Sequence, residues 1–266
     1  MIYFHKTYII LALSYIITGY YLNLIVLTSL IIVHELGHYT SAKILNFNVK
    51  KIIIYPYGGI TIIDDLINKN INKELIVAIS GVLYQSLFYI IILYLNKLNI
   101  IRDYTFNIYT IYHKSLLFFN LLPIHPLDGS KILNLIISKF IYYNLSNKIT
   151  IYISIITLII LLKTKIYNNN YSYIFILSIL ISYIYKYIKN LKYIYNKFLL
   201  ERYIYNIDYK KISIINNINK MYKNRTHIIK NKKNYLKEKK YLDKYFTKWY
   251  TFKLFFAIIL YIVEEE

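Results

Sequence analysis

Two stretches, Leu22 to Val33 and Leu75 to Leu95, run through apolar residues almost without interruption, broken only by hydroxyl, amide and glycine side chains. A helix on a water-soluble domain needs a polar face, so stretches of this kind predict segments that cross a bilayer. Six spans are expected, at residues 7–21, 22–45, 74–96, 115–138, 149–162 and 171–188. The first and fifth are short for a hydrocarbon layer of roughly 30 Å and call for tilt or flanking tyrosines. Mean hydropathy is positive at +0.39, yet 33 Lys and Arg face 13 acidic residues, a net charge of +20. Apolar and basic residues must therefore be segregated along the chain, and disordered or collagen-like classes are excluded. The expected fold class is an all-α polytopic membrane protein with a small cytosolic C-terminal module.

Loop charges orient these spans. With a cytoplasmic N-terminus, the inner loops carry Lys43, Lys50, Lys51, Lys69, Lys73, Lys131, Lys139 and Lys148, against Lys97, Arg102, Lys114, Lys163 and Lys165 outside. From Lys186 onward the chain holds 19 of its 33 Lys and Arg, which are costly to translocate, so both termini are expected in the cytoplasm. The first span has no small-residue cleavage site behind it and is expected to be retained. Residues 1–189 form the expected membrane domain and 190–266 a basic cytosolic region, with a thin apolar periodicity at Ile212, Ile215, Ile218 and Met221. The apolar run Leu254 to Val263 is too short to span and fits either an interfacial anchor or a packing helix.

The chain has no Cys, which removes disulfides, thiolate metal sites and thiol nucleophiles and leaves His, Asp and Glu for strong coordination. Inside the second span lies His34-Glu35-Leu36-Gly37-His38. On a helix the two imidazoles project from one face a turn apart, a spacing that chelates zinc, and Glu35 beside them can take a proton from water and pass it to a leaving amine. With six His and seven Glu in the chain, chance produces this pattern roughly 0.004 times per such sequence. Charged groups at membrane depth cost about 2.5 to 3.5 kcal/mol each, and a bound dication offsets that cost. The alternative is a buried hydrogen-bonded His–Glu knot.

A catalytic zinc needs three protein ligands and an open position. Asp128 is the leading third donor, in Asn120-Leu-Leu-Pro-Ile-His-Pro-Leu-Asp128-Gly129, where Pro123 and Pro126 break an apolar span. Irregular backbone at membrane depth persists only where protein or a water-filled cavity satisfies it. His125, three residues earlier, is the competing ligand. Asn120 is a candidate donor to a substrate carbonyl or an oxyanion, or a partner in an inter-helix hydrogen bond. His113 is expected at the membrane interface, and His5 and His227 on the surface or in the tail.

Together, HELGH within a span and NLLPIHPLDG resemble the site-2 protease family of intramembrane zinc metalloproteases. Phe198-Leu-Leu-Glu-Arg-Tyr203 and Met221-Tyr-Lys-Asn-Arg-Thr-His227 are similar to tail segments of its sporulation-type members. The resemblance, over roughly residues 1 to 245, implies one Zn2+ per chain on His34, His38 and Asp128, with Glu35 activating water. It implies that Pro56-Tyr57-Gly58-Gly59 begins a membrane-embedded Gly-Gly loop or hairpin that presents an edge to extended substrate, making Gly58, Gly59, Asn120 and Pro123 candidate substrate-binding residues. Family members often carry Gly-Pro and an Asn in the third span, where this chain has Gly81-Val82-Leu83-Tyr84-Gln85; Gln85 is expected to stand in for that Asn. Sporulation-type relatives can carry a paired nucleotide-binding regulatory domain, and a tail of about 60 residues is too short for both halves.

The expected function is thus regulated intramembrane proteolysis. His34 lies about 18 Å along its span from the outer end, towards the cytoplasmic side. The resemblance implies a sporulation sigma-factor precursor as substrate, losing its pro-sequence in the mother-cell membrane around the forespore, with membrane inhibitory proteins as further partners. The basic tail would attract acidic protein surfaces or anionic headgroups of the lipid bilayer; no nucleic acid partner is expected. Two alternatives belong to other classes: a membrane zinc transporter, which would need a continuous polar path across these spans, and a non-catalytic zinc-binding membrane protein, against which the intact Glu35 argues.

Overall fold

The computed structural model describes residues 2–56, 58–64, 66–165, 171–205, 207–231 and 234–248; the Leu254 to Val263 run and the closing glutamates lie outside them. Strand β1 (Ile2–Phe4) leads into helix α1 (Lys6–Ile17), capped by the His5 side chain accepting from the Thr7 N–H. Helix α2 (Tyr21–Ile44) carries the His-Glu pattern. Strands β2 (Val49–Tyr55) and β3 (Gly58–Ile63) form an antiparallel hairpin, and β1 joins β2 in parallel, giving the order β1-β2-β3. The helices α3 (Ile71–Lys97), α4 (Asp103–Leu121), α5 (Asp128–Phe140), α6 (Tyr143–Lys165) and α7 (Tyr171–Tyr205) follow.

Among the described residues, three helices are long and apolar enough to cross a membrane: α2, α3 and residues Tyr143–Lys163 of α6. The span expected at 149–162 is therefore longer than its apolar run, whereas α1 is a 12-residue apolar helix, short of a full crossing. The span expected at 115–138 is interrupted where its prolines stand. Two proline rings remove backbone donors there, and the chain divides into α4 and α5 around an irregular Leu122–Leu127 segment. The all-α expectation also needs correction, because the β-branched runs Ile52–Ile54 and Ile60–Ile63 favour extended backbone and pair as strands.

Large apolar side chains such as Ile10, Leu13 and Ile17 are exposed on the outer helix faces, as hydrocarbon solvent permits. Between helices in lipid, close packing replaces water exclusion as the driving force. Here α2 meets α3 through small residues: a Cβ on Gly37 would lie 2.5 Å from the Ser80 carbonyl oxygen. Only glycine allows that approach.

Helix α7 runs 35 residues, on the order of 50 Å, straight through the expected boundary at 189/190. A second sheet, β4 (Ile212–Ile215), β5 (Thr226–Asn231) and β6 (Asn234–Lys237), and helix α8 (Glu238–Lys248) pack against its end. Their core joins Phe198 and Leu199 of α7 to Ile215, Ile218, Met221, Ile229 and Leu242. The two tail segments singled out in the sequence thus meet: the Arg202 guanidinium donates to the Tyr222, Lys223 and Arg225 carbonyls and to Glu238. His227 is not a surface residue; it is 1% exposed and hydrogen-bonded to Glu238. His113, expected at the membrane interface, is buried within the protein, its ring stacked on Tyr89.

Candidate metal centre

The HELGH spacing on α2 puts both imidazoles on the side that faces α3 and α5. His34, Glu35 and His38 are all buried, with ligand atoms within 4.8 Å of one another. Asp128 arrives as the first residue of α5, where the helix dipole favours a carboxylate. Its Oδ2 lies 3.0 Å from Nε2 of both His34 and His38, and those two nitrogens are 3.1 Å apart. Its other oxygen, Oδ1, accepts from Lys131 Nζ at 3.1 Å.

The outer hydrogen bonds fix which imidazole nitrogen carries the proton. Gln85 Nε2 donates to the His113 carbonyl (3.1 Å), which turns Gln85 Oε1 towards His34 Nδ1, also at 3.1 Å. A carbonyl oxygen there requires Nδ1–H, so Nε2 presents a lone pair. His38 Nδ1 donates to the Val77 carbonyl at 2.7 Å, leaving its Nε2 a lone pair too. Two lone pairs and a carboxylate oxygen then converge with no proton shared among the three, and the Asn120 amide, 3.4 Å from His34 Nε2, reaches only one of them; a cation relieves that arrangement. Tetrahedral zinc with ligands at about 2.0 to 2.2 Å separates its donors by roughly 3.3 to 3.6 Å, so the cluster, with separations of 3.0 to 3.1 Å, has the donor chemistry and needs to open by only a few tenths of an ångström. A Cβ on Gly81 would sit 2.3 Å from His38 Nε2 and 2.7 Å from His34 Nε2, filling the same space.

Glu35 borders the triangle without entering it. Its Oε2 accepts from Thr61 Oγ1 at 2.7 Å, and Gly59 presses against it so closely that a Cβ would meet its Cγ at 2.3 Å. Asn120 Nδ2 is 3.4 Å from His34 Nε2, beside the cluster. Gly58, with φ +151°, opens β3, and the Pro123 carbonyl accepts from Ser154 Oγ. His125 lines the same cavity of about 540 Å³, but its ring stacks on Tyr187 with centroids 4.0 Å apart. Sequence inspection did not single out Thr61, Val77 or Lys131. Position gave one signal only: Lys131 stands three residues after Asp128, one helical turn along.

A model of peptidase family M50 matches residues 22–112 and 96–163, which carry the His-Glu pattern, the β2–β3 hairpin and Asp128. The chain belongs to peptidase family M50. It is 31% identical over 150 residues to stage IV sporulation protein FB of Bacillus subtilis (strain 168), covering 56% of this chain and 52% of that protein. It is 33% identical over 125 residues to a zinc metalloprotease of Methanocaldococcus jannaschii, covering 45% and 35% respectively. The chain thus aligns with about half of the first relative's length and about a third of the second's. A solved structure, a site-2 protease from Methanocaldococcus jannaschii, superposes with a TM-score of 0.55 at 26% identity, over 69% of this chain and 88% of that one. The M50 match covers the helices that carry His34, His38 and Asp128.

Proposed function

We propose that this chain is an intramembrane zinc metalloprotease, with His34, His38 and Asp128 as the metal ligands and Glu35 as the general base. The observation that carries the reading is the convergence of two imidazole lone pairs and one carboxylate oxygen within 3.1 Å, next to a carboxylate that takes no part in that triangle. When bound, zinc supplies Lewis acidity: it polarises a carbonyl and makes water acidic enough to ionise near neutral pH.

The protein's own residues do the rest. Gln85 and the Val77 carbonyl hold the imidazoles in the coordinating tautomer. Lys131 occupies Asp128 Oδ1 and so leaves Oδ2 to the metal. Glu35, anchored by Thr61, takes the proton from the attacking water and returns it to the amine leaving group. Asn120, beside His34, is positioned to donate to the substrate carbonyl. A peptide bond within a helix has its carbonyl occupied, so the substrate must be extended at the site; β3 is the outer strand of its sheet and offers Gly58 and Gly59 as an edge for pairing, with Pro123 in the irregular segment nearby.

In our reading, six helices lie in the membrane with both termini cytoplasmic, and residues 190–266 form a cytosolic module. The similarity to stage IV sporulation protein FB supports a role in sporulation, and in our reading the substrate is a membrane-associated sigma-factor precursor that loses its pro-sequence in the mother-cell membrane. The test is co-expression of candidate precursors with the wild type and with Glu35→Gln. The wild type cleaves and loses activity to a zinc chelator, while Glu35→Gln retains protein and zinc but cleaves nothing. Cleavage by Glu35→Gln would remove Glu35 as the base.

A further inference from the structure

Resting on the protease reading above, we propose that Thr61 is the positioning residue for Glu35: its hydroxyl holds one carboxylate oxygen so that the other is free to act on water. Thr61 lies on β3, paired with Ile52 of β2, and β3 is the outer strand of the sheet. Residues two apart on a strand share a face, and Gly59 and Thr61 both turn theirs to Glu35. Gly59 contributes the absence of a side chain, letting the strand lie against the carboxylate. Thr61 contributes the donor.

The hydroxyl has one proton and two acceptors in reach, Glu35 Oε2 at 2.7 Å and the Glu35 carbonyl at 3.3 Å. The shorter contact, to the charged group, takes it. Held this way, Glu35 Oε2 has its acceptor direction towards the strand satisfied, and the side chain is confined to one rotamer. The strand whose edge is offered to an extended substrate is therefore also the strand that aims the base. Displacement of β3 by a badly seated substrate would move both together.

A structural role for Thr61, simple packing of β3 on α2, predicts the opposite order of variants. Thr61→Val keeps the shape and the strand preference but loses the donor, whereas Thr61→Ser keeps the donor and loses a methyl. The test measures cleavage kinetics, zinc content and Glu35 placement in both, using purified protein and a membrane-associated precursor with a cleavable N-terminal segment. We expect Thr61→Val to lose kcat on the order of 10- to 100-fold with KM little changed, and Thr61→Ser to stay near wild type, both retaining zinc. Val active and Ser impaired, a change confined to KM, or zinc lost from Thr61→Val would each overturn the assignment. Crystal structures of the two variants supply a readout independent of turnover: the Glu35 carboxylate leaves its position in Thr61→Val and keeps it in Thr61→Ser. If the wild type itself cleaves nothing, the protease reading falls while these structures still decide whether Thr61 places Glu35; an unmoved Glu35 in Thr61→Val refutes the proposal.

Discussion

Asp128 Oδ2 lies 3.0 Å from His38 Nε2, although 90 residues separate the two in sequence. Three parts of the fold must be in register for that contact: α2 delivers the imidazoles, α3 orients them, and the break between α4 and α5 delivers the carboxylate. Metal binding in the proposed centre should be sensitive to each element in a distinguishable way.

The two candidates for the third ligand separate on zinc content. Asp128→Asn removes the anionic oxygen from the triangle and should leave only a small fraction of wild-type zinc per chain. His125→Ala removes a ring that stacks on Tyr187 and should leave zinc near normal. Metal analysis of both purified variants decides; zinc loss only in His125→Ala would reverse the assignment.

Gly81→Ala should lose metal while gaining intrinsic helix preference. Alanine is favoured over glycine in a helix interior by about 1 kcal/mol, so α3 is expected to stay helical. The added methyl nevertheless falls 2.3 Å from His38 Nε2 and displaces a ligand. Circular dichroism unchanged with zinc content sharply reduced is the expected pair of results; full zinc retention would contradict the packing described here.

Gln85 acts on the centre through its amide. Gln85→Leu removes the acceptor for His34 Nδ1–H and leaves that donor stranded in a buried position. A loss of zinc affinity of roughly 10- to 100-fold is expected from removal of such an orienting partner. Competition with a chelator of known affinity measures it, and Gln85→Asn should recover part of the loss.

The tail should loosen in acid. His227 Nδ1–H donates to Glu238 Oε2 (2.9 Å) while its Nε2 accepts from the Tyr222 N–H (2.9 Å), so the buried ring is neutral. Burial lowers its pKa from the ordinary 6.5. Burial would raise the Glu238 carboxyl, but the His227 hydrogen bond and the Arg202 guanidinium outweigh it and hold that group below its ordinary 4.5. Both folded values lie under the unfolded ones, so below pH 6.5 the unfolded tail takes up more protons and stability falls, first through His227 and then, below 4.5, through Glu238. The protection factors at Ile228 and Ile229, exchange corrected for the intrinsic amide rate at each pH, should be larger at pH 7.5 than at pH about 5.5. Equal protection at the two pH values would show that the knot does not govern the tail.

Local order in the sequence was enough to read a membrane protein with a chelating helix. Hydropathy is a property of each stretch alone, and the His34–His38 spacing becomes a shared helix face through nothing more than 3.6 residues per turn. The Pro123–Pro126 interruption was equally local, since proline cannot donate to a helix wherever it sits. What lay beyond local order was which groups meet. Gln85, Val77 and Gly81 act on the imidazoles only because a glycine on each of α2 and α3 lets the two helices approach, and Thr61 reaches Glu35 only because β3 folds back onto α2. His227 reads as a tail residue in sequence and becomes a buried neutral ring once Arg202 of α7 and Glu238 of α8 close around it. Contacts of this kind depend on the packing of distant segments at distances near 3 Å, a precision that no periodicity in one segment encodes.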